Sequence, residues 1–183
     1  EVQGSMPEAC ANALKLTEEF LEQKTVTDHL EEPPGSLVIS GMGGSAIGGE
    51  ILQDWLLDFS SLPIYVSRGY QLPISIGKKS LVFAVSYSGD TEETVGSFFG
   101  GLSRGCRVVA LTSGGRLREL SLQQGIPCLT IPRGMMPRVA LPYLFFPLAL
   151  IVSRLIIEQS SGRSLERELE QIPDVLRKVK EEI

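Results

Sequence analysis

Five short apolar runs, separated by stretches that read as helices, constrain the fold of this 183-residue chain more than any other feature. They lie at residues 36–40 (SLVIS), 63–67 (PIYVS), 80–85 (SLVFAV), 106–111 (CRVVAL) and 127–130 (PCLT), and each contains at least one β-branched residue. Between them, residues 45–57, 91–103 and 117–124 have the composition of helices. Continuous apolar runs, rather than alternating ones, belong to strands covered on both faces, and the helices between them supply parallel crossovers. The expectation is an α/β three-layer sandwich around a five-stranded parallel sheet, with right-handed crossovers. Ligands of such sheets bind beyond the carboxyl ends of the strands, near a switch in strand order. The loops at Gly41, Ser86, Thr112 and Ile131 are therefore expected to share one rim.

Residues 6–30 read as one amphipathic N-terminal helix, stopped by Glu31-Glu32-Pro33-Pro34-Gly35. Residues 141–157 (LPYLFFPLALIVSRLII) are apolar but shorter than the ~20 residues of a spanning helix. They also carry Arg154, Pro142 and Pro147, so a buried helix is expected. Residues 164–183 have Leu165, Leu169, Ile172, Leu176 and Val179 at helical spacing, with Pro173 as an expected interruption. The apolar surface of these last two helices suits a partner.

Charge excludes one broad class. Seventeen Lys and Arg stand against 22 Asp and Glu, a net charge of −5, whereas duplex binding needs clustered positive charge. No nucleic-acid or membrane partner is expected. Cys10, Cys106 and Cys128 are odd in number and widely spaced, which disfavours disulfides and zinc and suits a reducing cytoplasm. The single histidine, His29, lies in the polar N-terminal segment, so catalysis by a core histidine has no candidate in this chain.

Two loops carry the chemistry. The first, GMGGSAIGG at residues 41–49, follows a strand and opens a helix. Missing Cβ atoms let backbone N–H groups approach an anion there. Gly48 and Gly49 are expected to serve helix packing more than Gly43 and Gly44. The pattern also fits a dinucleotide fingerprint, but Ser67-Arg68 occupies the place of its acidic residue, which leaves only an NADP variant open. The second loop is SYSGDTEET at residues 86–94. Ser86, Ser88 and Thr91 at a helix start form a cradle for a phosphate monoester without requiring Lys or Arg. The competing reading has Thr91 as a plain N-cap. Glu92 and Glu93 are expected to serve the helix dipole.

These two loops, with Thr112-Ser113-Gly114-Gly115 and Pro137-Arg138, resemble the sugar isomerase (SIS) domain family. The branch they resemble is the N-terminal half of bifunctional phosphoglucose/phosphomannose isomerases. The resemblance implies a flavodoxin-like SIS domain at residues 36–158. An N-terminal helix and linker at 1–35 would precede it, and a connector helix at 159–183 would lead toward a second domain. It implies that Ser86, Ser88 and Thr91 hold the phosphate of a hexose 6-phosphate while Gly43, Gly44 and Ser45 border the sugar. Arg138 would stabilise an enediolate, a role that suits a fixed guanidinium; Arg133 ranks second. Glu92 and Glu93 would lie too near the phosphate to act as the base. The resemblance further implies a homodimer without cofactor, with the base glutamate, a histidine and a lysine supplied by a second domain and the partner subunit. The chain by itself would bind phosphosugar without full catalysis. The alternative is a non-catalytic phosphosugar-binding regulatory module.

Overall fold

A computed structural model describes residues 6–136, 139–156 and 164–182. Its elements run α1 (Met6–Leu21), α2 (Lys24–Leu30), β1 (Ser36–Ser40), α3 (Gly44–Leu56), β2 (Ile64–Ser67), β3 (Ser80–Ser86), α4 (Glu92–Ser103), β4 (Arg107–Thr112), α5 (Gly115–Gln124), β5 (Cys128–Thr130), α6 (Leu141–Leu155) and α7 (Leu165–Glu181). The five strands form one parallel sheet in the order β2-β1-β3-β4-β5. The five apolar runs are its strands.

Alternation along each strand divides the sheet's side chains between two cores. Leu37, Ile39, Leu81, Phe83, Val85, Val109 and Leu111 pack in a larger core with α1, α3 and α6. Val38, Val82, Ala84, Val108 and Ala110 face the opposite way, against Phe98 of α4 and Leu117 of α5. The result is the three-layer sandwich. Burial on both faces explains why no strand alternates in polarity.

The glycines of α3 divide as expected. A Cβ on Gly49 would lie 2.7 Å from Ile39 Cγ2 of β1, and one on Gly48 would lie 2.5 Å from the Leu144 carbonyl oxygen of α6. Neither position has room for a side chain, so both glycines serve close packing.

The ends of the chain depart from expectation in two places. Residues 6–30 form two helices, because Gln23 is extended and starts α2. At 100° per residue, a continuous helix would place Val26 about 120° around the axis from Phe20. The break lets both side chains reach the core. At the other end, Pro173 stands inside α7 without interrupting it. Leu165, Leu169 and Pro173 form one buried stripe, and α7 packs on α1 and α6. That packing outweighs the single hydrogen bond a proline removes. Arg177 of α7 also reaches Glu8 of α1 at 3.4 Å.

Residues 141–155 are a buried helix, as their length and prolines indicate. Among the described residues no helix is long and apolar enough to cross a membrane.

Candidate functional site

Because β1 lies between β2 and β3, the chain leaves β1 toward one edge and later returns on its other side. The loops after β1 and β3 therefore part at their carboxyl ends, which places the crevice of this fold between them. The glycine loop and the hydroxyl loop border that crevice.

Gly41 begins the first loop, its N–H donating to Ser67 O at 3.1 Å. A Cβ there would stand 2.9 Å from Val85 O. Gly43 has φ +52, which favours glycine, and nothing lies within 4 Å of where a side chain would start. α3 then begins at Gly44 with no side-chain cap on its first turn. Ser45 is buried, and its hydroxyl accepts from Tyr87 N at 3.2 Å, tying the two loops together.

In the second loop, β3 runs on through Ser86. Ser86 Oγ accepts from Gly89 N at 3.0 Å and pairs with Thr91 Oγ1 at 2.8 Å. Ser88 is exposed, and its hydroxyl accepts from Asp90 N at 3.3 Å. Thr91 occupies the N-cap position of α4 with an extended backbone, yet its side chain makes no cap hydrogen bond. The plain-cap reading is thereby corrected: the hydroxyl that would close the helix is turned to Ser86. Ser86, Ser88 and Thr91 thus gather at a helix N-terminus that no side chain of the N-cap residue closes, a setting that favours an anion.

Two of the neighbouring charges, Glu92 and Arg68, are engaged. Glu92 accepts from Tyr70 OH at 3.4 Å, and the Glu93 and Glu92 carboxylates, with Glu93 foremost, push the Tyr70 phenol above its usual range. Arg68 pairs with Glu50 of α3 at 2.5 Å, so its guanidinium is occupied by a carboxylate. His29 lies at the opposite end of the sheet, 3.0 Å from the Val108 carbonyl near the start of β4. Among the described residues no group of three or more His, Cys, Asp or Glu is placed to hold a metal.

The loops after β4 and β5 complete the rim. Gly89, at φ +81, abuts Gly114, and a Cβ there would also stand 2.8 Å from Thr112 Oγ1. Asp90 Oδ1 accepts from Arg116 N at 3.0 Å and so caps α5 from another loop. Arg133 Nε donates to Ser113 O at 2.6 Å. Ile131 N donates to Thr112 O at 2.9 Å. The loops at Gly41, Ser86, Thr112 and Ile131 thus form a connected rim. Arg138 and Pro137 lie outside the described residues.

Sequence reasoning missed Asp90 and Tyr87. Asp90 carried a weak signal, since an acidic residue suits a helix start, but its helix lies 26 residues on. Tyr87 carried none.

No protein-family model matches the chain. Its curated homologues include the bifunctional phosphoglucose/phosphomannose isomerase of Caldicellulosiruptor bescii, 38% identical over 147 residues, which are 80% of this chain and 43% of that protein. The protein of the same name from Thermoplasma acidophilum is 40% identical over 113 residues, 62% of this chain and 34% of its own length. The chain spans less than half the length of these curated relatives. Among solved structures, the tagatose-6-phosphate ketose/aldose isomerase of Escherichia coli superposes with a TM-score of 0.66 over 95% of this chain and 51% of its own, at 15% identity. The chain is thus a homologue of the bifunctional phosphoglucose/phosphomannose isomerases, and its structural neighbours are phosphosugar isomerases of the SIS fold.

Proposed function

We propose that the protein interconverts glucose 6-phosphate, mannose 6-phosphate or both with fructose 6-phosphate through an enediolate, and that this chain is its N-terminal SIS half. One observation carries the reading: the hydroxyls of Ser86 and Thr91 meet at an α4 N-terminus that no N-cap side chain closes, beside the crevice at the β1/β3 switch. Ser86, Ser88 and Thr91 hold the phosphate through hydroxyls and first-turn amides. Gly43, Gly44 and Ser45 border the sugar, Ser45 through its backbone because its hydroxyl is taken by Tyr87. Arg138 is assigned the stabilisation of the developing oxyanion, a role in which a fixed guanidinium lowers the barrier.

Proton transfer between C1 and C2 needs a base, and ring opening needs an acid–base group. On the described rim, Asp90 caps α5 and Glu92 accepts from Tyr70. His29 is about 13 Å below the rim, four residues down β4 at ~3.3 Å each. On this reading, as the resemblance implies, the base and the ring-opening groups come from a second domain and a partner subunit, in a homodimer. The buried or half-buried free thiols suit a reducing cytoplasm. The same engagement of rim carboxylates favours a second reading, a phosphosugar-binding module without turnover.

Binding and rate measured on this chain and on the full-length protein separate the two. The isomerase reading expects hexose 6-phosphate binding by both, turnover only by the full-length protein, and an Arg138→Ala variant that loses turnover while keeping affinity. Binding without turnover in the full-length protein selects the regulatory reading. Absence of binding by the full-length protein rejects both.

A further inference from the structure

Tyr87 stands between the two serines of the hydroxyl loop, and each of its polar atoms bonds to a different neighbouring loop. Its N–H donates to Ser45 Oγ at 3.2 Å, at the start of α3. Its carbonyl accepts from Ser113 N at 3.0 Å and Ser113 Oγ at 2.7 Å, after β4. Its phenol donates to Pro132 O at 3.2 Å and accepts from Met135 N at 2.8 Å, after β5.

The last pair is a specific device. Pro132 O and Met135 N are the first and fourth residues' groups that a β-turn bonds directly. Gly134, at φ +80, supplies the positive φ that the third position of a type II turn needs. The phenol bridges the two groups, an arrangement open to tyrosine because its hydroxyl both donates and accepts. The second residue of this turn is Arg133, whose Nε bonds Ser113 O at 2.6 Å. The chain then continues through Met136 to Pro137 and Arg138.

We infer that Tyr87 is a positioning residue that couples the phosphate-binding loop to the turn at 132–135, the turn that carries Arg133. The inference rests on the isomerase reading. A phosphate held by Ser86 and Ser88 fixes the backbone on both sides of Tyr87. The same residue, through its phenol, fixes the turn. The phosphate-binding loop and the turn are then held by one residue, and misplacing a group that acts on the transition state lowers turnover more than affinity.

The test uses the full-length protein with Tyr87→Phe, which removes the phenol oxygen and leaves the loop's backbone bonds. Affinity for fructose 6-phosphate is expected within about two-fold of wild type while turnover falls about ten-fold. The Met135 amide is expected to exchange faster with solvent. Gly134→Ala, which strains the turn from its other side, should give the same split without touching the hydroxyl loop. Unchanged turnover in Tyr87→Phe overturns the inference, and so does a parallel fall in affinity and turnover, which marks a merely structural role. An inactive wild-type protein is a separate result: it removes the isomerase reading and this inference with it.

Discussion

β3 begins and ends on the same local arrangement, put to different uses. At its start Ser80 is buried, accepts from Gly77 N at 3.2 Å and pairs with Ser36 Oγ at 2.8 Å. At its end Ser86 is buried, accepts from Gly89 N at 3.0 Å and pairs with Thr91 Oγ1 at 2.8 Å. The lower pair joins registered residues of β1 and β3, beside the exposed Lys78 and Lys79. The upper pair joins a strand end to the N-terminus of α4, with two acidic residues in the helix's first turn. Counted by formal charge, the lower end is the better anion site. Partial charge reverses that ranking, because the upper pair sits at the N-terminus of α4, whose first-turn amides have no partner within the helix, whereas the lower pair joins two strands. Position in the topology, not the hydroxyls themselves, separates a brace from the proposed binding loop.

The strongest way to break this comparison is to fill one glycine at each end. Gly89→Ala would force an alanine into φ +81 and its Cβ to within 2.7 Å of the Gly114 carbonyl carbon. The loss of stability is expected at about 3 kcal/mol or more, with phosphosugar binding abolished. Gly77 has open space around its Cβ position. Gly77→Ala should stay within about 0.5 kcal/mol in chemical denaturation and leave binding intact. Equal effects at both ends would show that the upper loop is no more constrained than the lower.

The hydroxyls give a gentler test. Ser86→Ala is expected to weaken hexose 6-phosphate binding about ten-fold or more, the usual scale for a hydrogen bond to a charged group. Ser80→Ala removes a buried brace and should cost about 1 kcal/mol of stability with affinity unchanged. Calorimetric titration of both variants decides it. A larger affinity loss in Ser80→Ala would move the anion site to the lysine end.

What could be read in the sequence follows the range over which each feature is decided. The strands were legible because burial on both faces leaves a continuous apolar run, and SLVFAV needs no distant partner to be recognised. Gly48 and Gly49 were legible as packing residues because a helix leaving a strand must approach it. The break at Gln23 was not, since it depends on where Val26 and Phe20 must both arrive in the core. Tyr87 was invisible for the same reason in stronger form. Its partners lie 26 to 48 residues away, and nothing in the run Ser-Tyr-Ser-Gly says that a phenol will close a turn after β5. Thr91 was half legible: its place before the helix was evident, while its choice of Ser86 over the helix amides depended on β3 extending one residue further.

The smallest effect belongs to the lower end alone and concerns His29. Burial is the main reason its imidazole is held below the ordinary value of 6.5; Arg107 adds to this, and the bond to the Val108 carbonyl opposes it. A depressed histidine means that, below pH 6.5, the unfolded chain takes up a proton that the folded chain resists. Its contribution to stability is therefore full above pH 6.5 and is lost as the pH falls below it. The expected result is a shallow decline in denaturation midpoint on acidification from pH 7.5 to 5.5. His29→Gln, which keeps a donor for Val108 O and cannot titrate, should flatten that decline. Phosphosugar affinity of the two proteins should follow the same pH curve, because His29 is remote from the rim. A variant whose decline matches wild type would assign the slope to other groups, and a change in the affinity curve would bring His29 into the site's chemistry.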